Sequence, residues 1–302
     1  MPWWMFEGII WFFLVIVGAA FVDIVFNNGR KILKQRTLLL AAVVLFFSWG
    51  VVFYGSFIEP RILVVKNETI DFGNITQPTR VALLSDFHVG PYKGAGWVEE
   101  TVKKTNDQKP DLVLLLGDYV FGKWGDIEDL NALQKLSAPL GVYAVLGNHD
   151  YDIDRQNEIK TKLESLGINV LINASAEIKV FDDTSFCLVG LNDLWNGFEL
   201  GQALSGCSID QNVLLMSHNP DAILFDESRT ADLIVSAHTH GGQIRLPFIG
   251  PVAFVPTTLG NEYDQGFFNF AGTNLFITSG LGETGARARL FNPPEIVILE
   301  LK

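Results

Sequence analysis

The chain has 302 residues, 48% of them hydrophobic and only 19% charged, with 22 basic against 34 acidic side chains and a net charge of −12. That balance excludes a disordered chain and argues against wrapping nucleic acid on a basic surface, which needs clustered cations. Two cysteines, Cys187 and Cys207, are too few for a disulfide framework and match no zinc-ribbon spacing, so they leave the compartment open.

The apolar residues are concentrated at the N-terminus. Gly8 to Val22 carries no charge, and Thr37 to Ile58 carries none over 22 residues. About 20 apolar helical residues cross a hydrocarbon core. The second run meets that length outright. The first meets it only with Trp3 to Phe6 or Phe21 to Phe26 included, which brings Glu7 and Asp23 near its ends. A buried core helix is the competing reading of the first run. A cleaved signal peptide is disfavoured, because no positive charge precedes Gly8. The connector Asn27 to Arg36 holds four cations and no acid. The pattern predicts a two-helix transmembrane hairpin over residues 1–60, joined at Glu59-Pro60 to an acidic soluble domain over residues 61–302.

Beyond Arg61 the pattern changes to short apolar runs rich in Val, Ile and Leu. The clearest are Val81–Ser85, Leu112–Leu116, Val142–Leu146, Cys187–Leu191, Val213–Met216, Leu233–Ser236, Leu275–Thr278 and Ile296–Leu299. Such runs fit strands buried on both faces. Helices are expected over Trp97–Lys109, Ile127–Leu136 and Asp154–Leu166, the last stopped by Gly167. Alternation of strand and helix predicts an α/β domain, with a mixed sheet in its later half.

All five histidines lie at or just past the end of such a run. Val81–Ser85 leads into Asp86-Phe87-His88, and Leu112–Leu116 into Gly117-Asp118. Val142–Leu146 leads into Gly147-Asn148-His149-Asp150. Val213–Met216 leads into Ser217-His218, and Leu233–Ser236 into Ala237-His238-Thr239-His240-Gly241-Gly242. In open α/β sheets the ligand crevice lies outside the carboxyl ends of the strands. Imidazole, carboxylate and amide oxygen together suit divalent manganese, iron or zinc. Each motif alone is weak: Asp-x-His reads as a capped loop, Gly-Asp as a turn, and a lone histidine as a surface residue. Five strand ends agreeing by accident is the improbable reading. Asp86 and His88 are two apart and point to opposite sides of an ideal strand, so joint chelation needs a local twist.

This series, with His240-Gly241-Gly242-Gln243 and Arg289-Leu290-Phe291-Asn292-Pro293-Pro294-Glu295, resembles the calcineurin-like metallophosphoesterases, in particular the membrane-attached bacterial YkuE/YaeI-type branch. The resemblance covers roughly Arg61 to Lys302. The family's usual glycine before the paired histidines is Ala237 here. The resemblance implies a four-layer αββα sandwich with a site for two divalent ions. Asp86, His88 and His240 would hold one ion, Asn148, His218 and His238 the other, and Asp118 would bridge them. His149 would be no ligand but would contact the phosphate and protonate or stabilise the leaving oxygen, oriented by Asp150. Two ions gripping a phosphoryl group need no large basic surface, which reconciles the acidic domain with an anionic substrate. A covalent serine or cysteine route lacks support, because no Gly-x-Ser-x-Gly elbow occurs and neither cysteine neighbours a histidine.

The expected reaction is hydrolysis of a phosphodiester or pyrophosphate bond. Two apolar loops, 119–124 and 247–256, are either ordinary core or an acyl-chain and membrane-contact surface. A hairpin beside such loops favours a lipid-linked substrate, with UDP-2,3-diacylglucosamine, the substrate of some relatives, as one candidate. The alternatives are a tethered phosphodiesterase on soluble nucleotides and a non-catalytic metal-binding module. The basic connector places itself in the cytoplasm by the positive-inside rule and the catalytic domain outside, whereas a lipid A precursor would require the cytoplasmic face.

Overall fold

The computed structural model describes residues 2–27, 35–73, 75, 77–152, 154–180, 184–208 and 210–302. Two apolar helices come first, α1 (Trp3–Val22) and α2 (Gln35–Phe53). With their continuations they form segments Trp3–Phe26 and Thr37–Arg61, each long and apolar enough to cross a membrane. Most of their large apolar side chains are exposed, so they are not core helices of the soluble domain. They pack on each other: Trp49 donates its indole N–H to the Leu14 carbonyl at 3.1 Å, and Phe21 meets Phe46. Residues 28–34 of the basic connector lie outside the described residues.

The domain is built on two six-stranded sheets. The strands are β1 (Val64–Ile70), β2 (Thr79–Leu84), β3 (Leu112–Leu115), β4 (Val142–Ala144), β5 (Asn169–Val170), β6 (Ala174–Lys179), β7 (Ser185–Gly190), β8 (Val213–Met216), β9 (Leu233–Ser236), β10 (Arg245–Leu246), β11 (Gly250–Pro251), β12 (Gly266–Phe270), β13 (Thr273–Ile277) and β14 (Glu295–Leu301). One sheet runs β1-β14-β2-β3-β4-β5, the other β12-β13-β9-β8-β7-β6, and β10 pairs only with β11. Both large sheets are mixed. In the first, β14 runs antiparallel to β2; in the second, the β6–β7 and β12–β13 pairs are antiparallel.

Alternation along the strands makes the layers. Val81, Leu83, Leu112, Leu114 and Val297 of the first sheet share a core with Leu188, Leu214, Met216, Leu233 and Val235 of the second. Their neighbours Ala82, Leu84, Val113, Leu115 and Ile296 face outward, under α3 (Ala95–Asp107) and α5 (Gln156–Ser165). On the second sheet Val189, Leu215 and Ile234 face a cluster with Leu200 and Ala203 of α6 (Leu200–Leu204). The result is the four-layer αββα sandwich.

Two local expectations are corrected. Ile127–Lys135 is a 3-10 helix rather than an α-helix. Asp126 caps it by accepting from the Glu128 N–H, and Asp129 and Asn131 inside it are weak α-helix formers. Cys187 and Cys207 do form a disulfide, with 5.5 Å between Cα atoms. The bridge ties β7 to the turn after α6, a pairing that 20 residues of sequence separation leave invisible.

The hairpin is docked onto the domain without a slack linker. Past α2 the chain continues through the turns Tyr54–Ile58 and Glu59–Arg61. Glu59 is buried and accepts from the Asn292 N–H, and Arg289 N–H donates to the Gly55 carbonyl at 2.8 Å. Arg287 pairs with Glu7 at 2.9 Å and lies over the Phe57 ring. Glu7, the acid that made the first run ambiguous, is thereby partnered from the domain side.

Candidate metal centre

Six of the seven proposed ligands and His149 sit just past β2, β3, β4 and β9, with His218 just past β8, all at one rim. The backbone there is strained. Asp86, His88, Asp118, His238 and His240 have φ of 52°, 42°, 58°, 70° and 51°, in the left-handed region that side chains disfavour. This supplies the twist that lets Asp86 and His88 face the same point. Glycines let the loops touch. A Cβ on Gly117 would stand 2.5 Å from the Gly147 nitrogen, and one on Gly147 would stand 2.2 Å from Asp118 Oδ1. The Gly-Asp and Gly-Asn-His-Asp motifs are therefore two loops pressed together.

The donor atoms converge in three overlapping sets: Asp86 with His88 and His240, His88 with Asp118 and His149, and Asp118 with His218 and His238. Within each set one atom per residue lies within 4.8 Å of the others. His88 Nε2 stands 3.3 Å from His240 Nε2, and His240 Nε2 stands 3.4 Å from Asp86 Oδ1. Asp118 Oδ2 is 3.1 Å from His218 Nε2 and 3.6 Å from His88 Nε2. His238 Nδ1 is 3.2 Å from His218 Nε2. Asp118 thus lies between two groups of ligands, where a bridging carboxylate belongs.

The fit to cations rests on atoms left without partners. Among the described residues, both Asp86 oxygens and Asn148 Oδ1 are buried and make no hydrogen bond. A buried oxygen without a partner costs about 1–3 kcal/mol, a cost that a coordinated cation removes. The imidazoles are oriented as ligands are. His218 Nδ1 meets the Leu116 carbonyl at 2.6 Å and His240 Nδ1 the Gly282 carbonyl at 3.3 Å, which leaves each Nε2 lone pair for a metal.

Electrostatics sharpens this. Burial pulls His88 and His238 down to about 3 and His240 well below the ordinary imidazole value, so these rings are neutral. Burial also opposes charge on His218, but the Asp118 carboxylate, its hydrogen bond and Asp86 outweigh it and push His218 up to about 10. Burial would raise Asp118 too, yet His218, helped by His149 and His88, holds it well below the usual carboxylate range. Burial pushes Asp86 up to about 6. In the metal-free protein one proton therefore sits where a cation belongs.

His149 is half-buried at the mouth of the site, its ring centroid 5.2 Å from that of His88. Its orientation is not as expected. His149 Nδ1 pairs with Asp152 at 2.8 Å, not with Asp150. Asp150 is fully buried and accepts from three backbone N–H groups, those of Gly147, Asp118 and Tyr119, at 2.9–3.0 Å. It holds the β3 and β4 loops together. Asp150 heads back into the protein because α4 (Asn148–Tyr151) turns successive side chains about 100° apart, and Asp152, three residues on, shares the face of His149.

Three contributors escaped the sequence reading. The loop after β13 presses on Asp86: a Cβ on Gly280 would stand 2.6 Å from Asp86 Oδ2, and one on Gly282 would stand 2.5 Å from the Asp86 carbonyl oxygen. Arg289, fully buried, donates to the carbonyls of Ser279, Gly280 and Gly282 and so fixes that loop. Past β7, Trp195 brings its ring to 5.4 Å from His238. The signal for the first was Gly280-x-Gly282 after a recognised strand; Arg289 opens the segment that carries part of the family resemblance, but its bracing role was not marked there, and Trp195 gave no signal. The two apolar loops part company. Tyr119 and Val120 are core, whereas Phe248 and Phe254 are exposed.

A profile described as calcineurin-like phosphoesterase matches residues 79–242, the stretch from β2 to the last of these ligands. The chain is 30% identical over 287 residues to the uncharacterized metallophosphoesterase YkuE of Bacillus subtilis, covering 91% of this chain and 98% of that one. It is 30% identical over 247 residues to the phosphodiesterase YaeI of Escherichia coli, covering 79% and 87%. A transmembrane protein with metallophosphoesterase domain from Danio rerio is 28% identical over 286 residues, with 89% of this chain matched but only 63% of the longer fish protein. The converging donors and these matches agree: the chain belongs to the calcineurin-like metallophosphoesterases, metal-dependent hydrolases of phosphate esters.

Proposed function

We propose that this metallophosphoesterase is anchored by its N-terminal hairpin and hydrolyses a phosphodiester or pyrophosphate bond in a lipid-linked substrate on the outer face of the membrane. The observation that carries the lipid reading is the short path from hairpin to ligand. The Trp3 ring meets Tyr92 edge-on at 6.3 Å, Tyr92 meets Phe121 at 5.5 Å, and Phe121 meets His88 at 6.1 Å. Only two aromatic side chains separate the base of the hairpin from a metal ligand, so a headgroup held in the bilayer needs little reach to arrive there. The membrane side is supported by two independent facts. The cations of the connector favour the cytoplasm, and the Cys187–Cys207 bridge suits an oxidising compartment. The start of α1 and the end of α2 both meet the domain, so the end of α1 and the start of α2 point away from it. This orientation disfavours UDP-2,3-diacylglucosamine, whose nucleotide is made in the cytoplasm.

Two divalent ions, when bound, would supply a grip on phosphoryl oxygens and a water of lowered pKa. Asp86, His88 and His240 would hold one, Asn148, His218 and His238 the other, and Asp118 both. The chain's remaining work is orientation and proton transfer. Asp152 fixes His149 through Nδ1, which leaves Nε2 to give a proton to the departing oxygen. The Leu116 and Gly282 carbonyls fix two ligand rings.

The test uses the full-length protein, loaded with manganese, against bis(p-nitrophenyl) phosphate, a phospholipid in mixed micelles and soluble nucleotides. Turnover of the phospholipid above the nucleotides is expected. Preference for nucleotides would leave the hairpin a mere tether, and a lack of all turnover in the metal-loaded protein would overturn the enzymatic reading. For the side, Lys179→Cys should react with an impermeant maleimide on intact cells; reaction only after lysis would reverse the assignment.

A further inference from the structure

We infer that the β10–β11 hairpin and the segment that follows it, residues 244–256, form a third membrane contact, an apolar wedge that dips into the headgroup region beside α2 and sets the attitude of the metal cleft toward the bilayer. The segment runs Ile-Arg-Leu-Pro-Phe-Ile-Gly-Pro-Val-Ala-Phe-Val-Pro, with one cation and no acid in a strongly acidic protein. Its apolar side chains are turned out rather than in. Phe248 is fully exposed, Phe254 is 93% exposed, and Ile249 and Val252 are 74% and 60% exposed. Scattered exposed hydrophobics are ordinary, but four in seven residues on one protrusion are not. Phe248 sits at the tip of a two-residue-strand hairpin with φ of 67°, in the conformation that glycine would occupy without strain. A bulky ring is held there against its backbone preference, and it touches no core cluster. Arg245, at the base, is tied back by Asp264.

The occupant is argued from continuity. Ile244 bridges Leu290, and the Arg245 N–H donates to the Leu290 carbonyl at 2.9 Å. The preceding residue, Arg289, donates its N–H to Gly55, in the turn that extends α2. The base of the wedge therefore stands two chain spacings, about 10 Å, from the second candidate span. Gly55 lies six residues before the end of that span at Arg61, a level of about 9 Å along the helix, which is the depth at which interfacial segments settle. Phe291, 59% exposed, lines the same hollow as residues 245–250, and Ile58 and Tyr54 of the anchor are exposed as well. At the other end, only Gly241–Gln243 separate His240 from Ile244, so the depth of the wedge is transmitted to a ligand loop.

The inference rests on α1 and α2 crossing the membrane, and the experiment separates the two. Both native cysteines are bridged, so a single introduced thiol can carry an environment-sensitive nitrobenzoxadiazole label. The full-length protein is labelled at Phe248→Cys, at Ile249→Cys, at Leu39→Cys on α2, or at Lys179→Cys on the far, exposed face, and reconstituted into phosphatidylcholine–phosphatidylglycerol vesicles containing doxyl lipid. The labels at 248 and 249 should shift to the blue and lose about half of their emission to shallow doxyl groups, the label at 39, near the other end of its span, should be quenched as well, and the label at 179 should do neither. Quenching at 39 with water-like emission at 248 and 249 would overturn the wedge and keep the anchor. Water-like emission at all four positions would overturn both.

Discussion

The two sheets make unequal contributions to one site. The first supplies Asp86, His88, Asp118, Asn148 and His149; the second supplies only imidazoles, those of His218, His238 and His240. The first sheet's loops are pressed together by glycines and pinned by Asp150, whereas in the second sheet His218 is oriented from the other sheet, by the Leu116 carbonyl after β3, and His240 by the Gly282 carbonyl in the loop after β13. Charge couples the two sheets: Asp118 is held anionic and keeps its neighbour His218 protonated across the gap. Acids that would repel each other come from one rigid rim, and the neutral donors that complete the shell arrive only when the sheets pack. A metal centre so divided reports on the packing of the whole sandwich.

The comparison breaks most completely at Asp118, which belongs to both groups. Asp118→Asn should lower turnover by roughly 10³-fold or more and reduce bound metal from two ions toward one or none, by elemental analysis. Full activity with both ions retained would show that the sheets do not share a bridging carboxylate. Next, His149→Ala should lose roughly 10²–10⁴-fold in kcat while keeping its metal. Asp152→Asn should reproduce a smaller part of that loss, and an unchanged kcat there would return the orienting role to Asp150.

Asp150 should behave differently. Asp150→Asn keeps one acceptor oxygen but turns its amide N–H₂ toward at least one of the three backbone donors, so stability should fall by about 1–3 kcal/mol, measured by denaturant unfolding of the metal-free protein. A change confined to kcat with unaltered unfolding would contradict its role as a brace.

The last effect is graded by pH. His218 is pushed up to about 10, so at neutral pH a metal must displace its proton. Metal affinity should therefore rise with pH, roughly tenfold per unit between pH 7 and 9, and level off above His218's pKa. Below about 6, protonation of Asp86 should steepen the fall. Chelator competition across pH measures this; a flat profile would mean that Asp118 does not hold a proton on its partner in the second sheet.

Legibility followed burial. The eight apolar runs recognised in the sequence correspond to β2, β3, β4, β7, β8, β9, β13 and β14, the eight inner strands of the two sheets. The four large-sheet strands that went unseen, β1, β5, β6 and β12, are the four edges. An edge strand such as Ala174–Lys179 is half solvated, so no continuous apolar run marks it. The same principle explains the site. Candidate ligands just past inner strands are announced by the strands that carry them, so Asp86, His88, Asp118, Asn148, His218, His238 and His240 stood out, with His149, by their positions after apolar runs, while the division of roles among them came from the family resemblance.

What the sequence determined by itself was thus the set of atoms offered to a cation and the presence of two long apolar helices, because both depend on local spacing. Only the tertiary structure decided which groups steer which. Asp152 rather than Asp150 holds His149, because the pitch of a single helical turn and not adjacency in the chain chooses the partner. Gly280, Gly282 and Arg289 brace Asp86 and His240 from residues 42 to 203 positions away, and Cys187 finds Cys207 across a sheet and a helix. Whether Phe248 faces core or solvent was equally undecidable in the sequence, since an apolar residue in a loop takes its surroundings from the fold that closes around it, and here nothing closes.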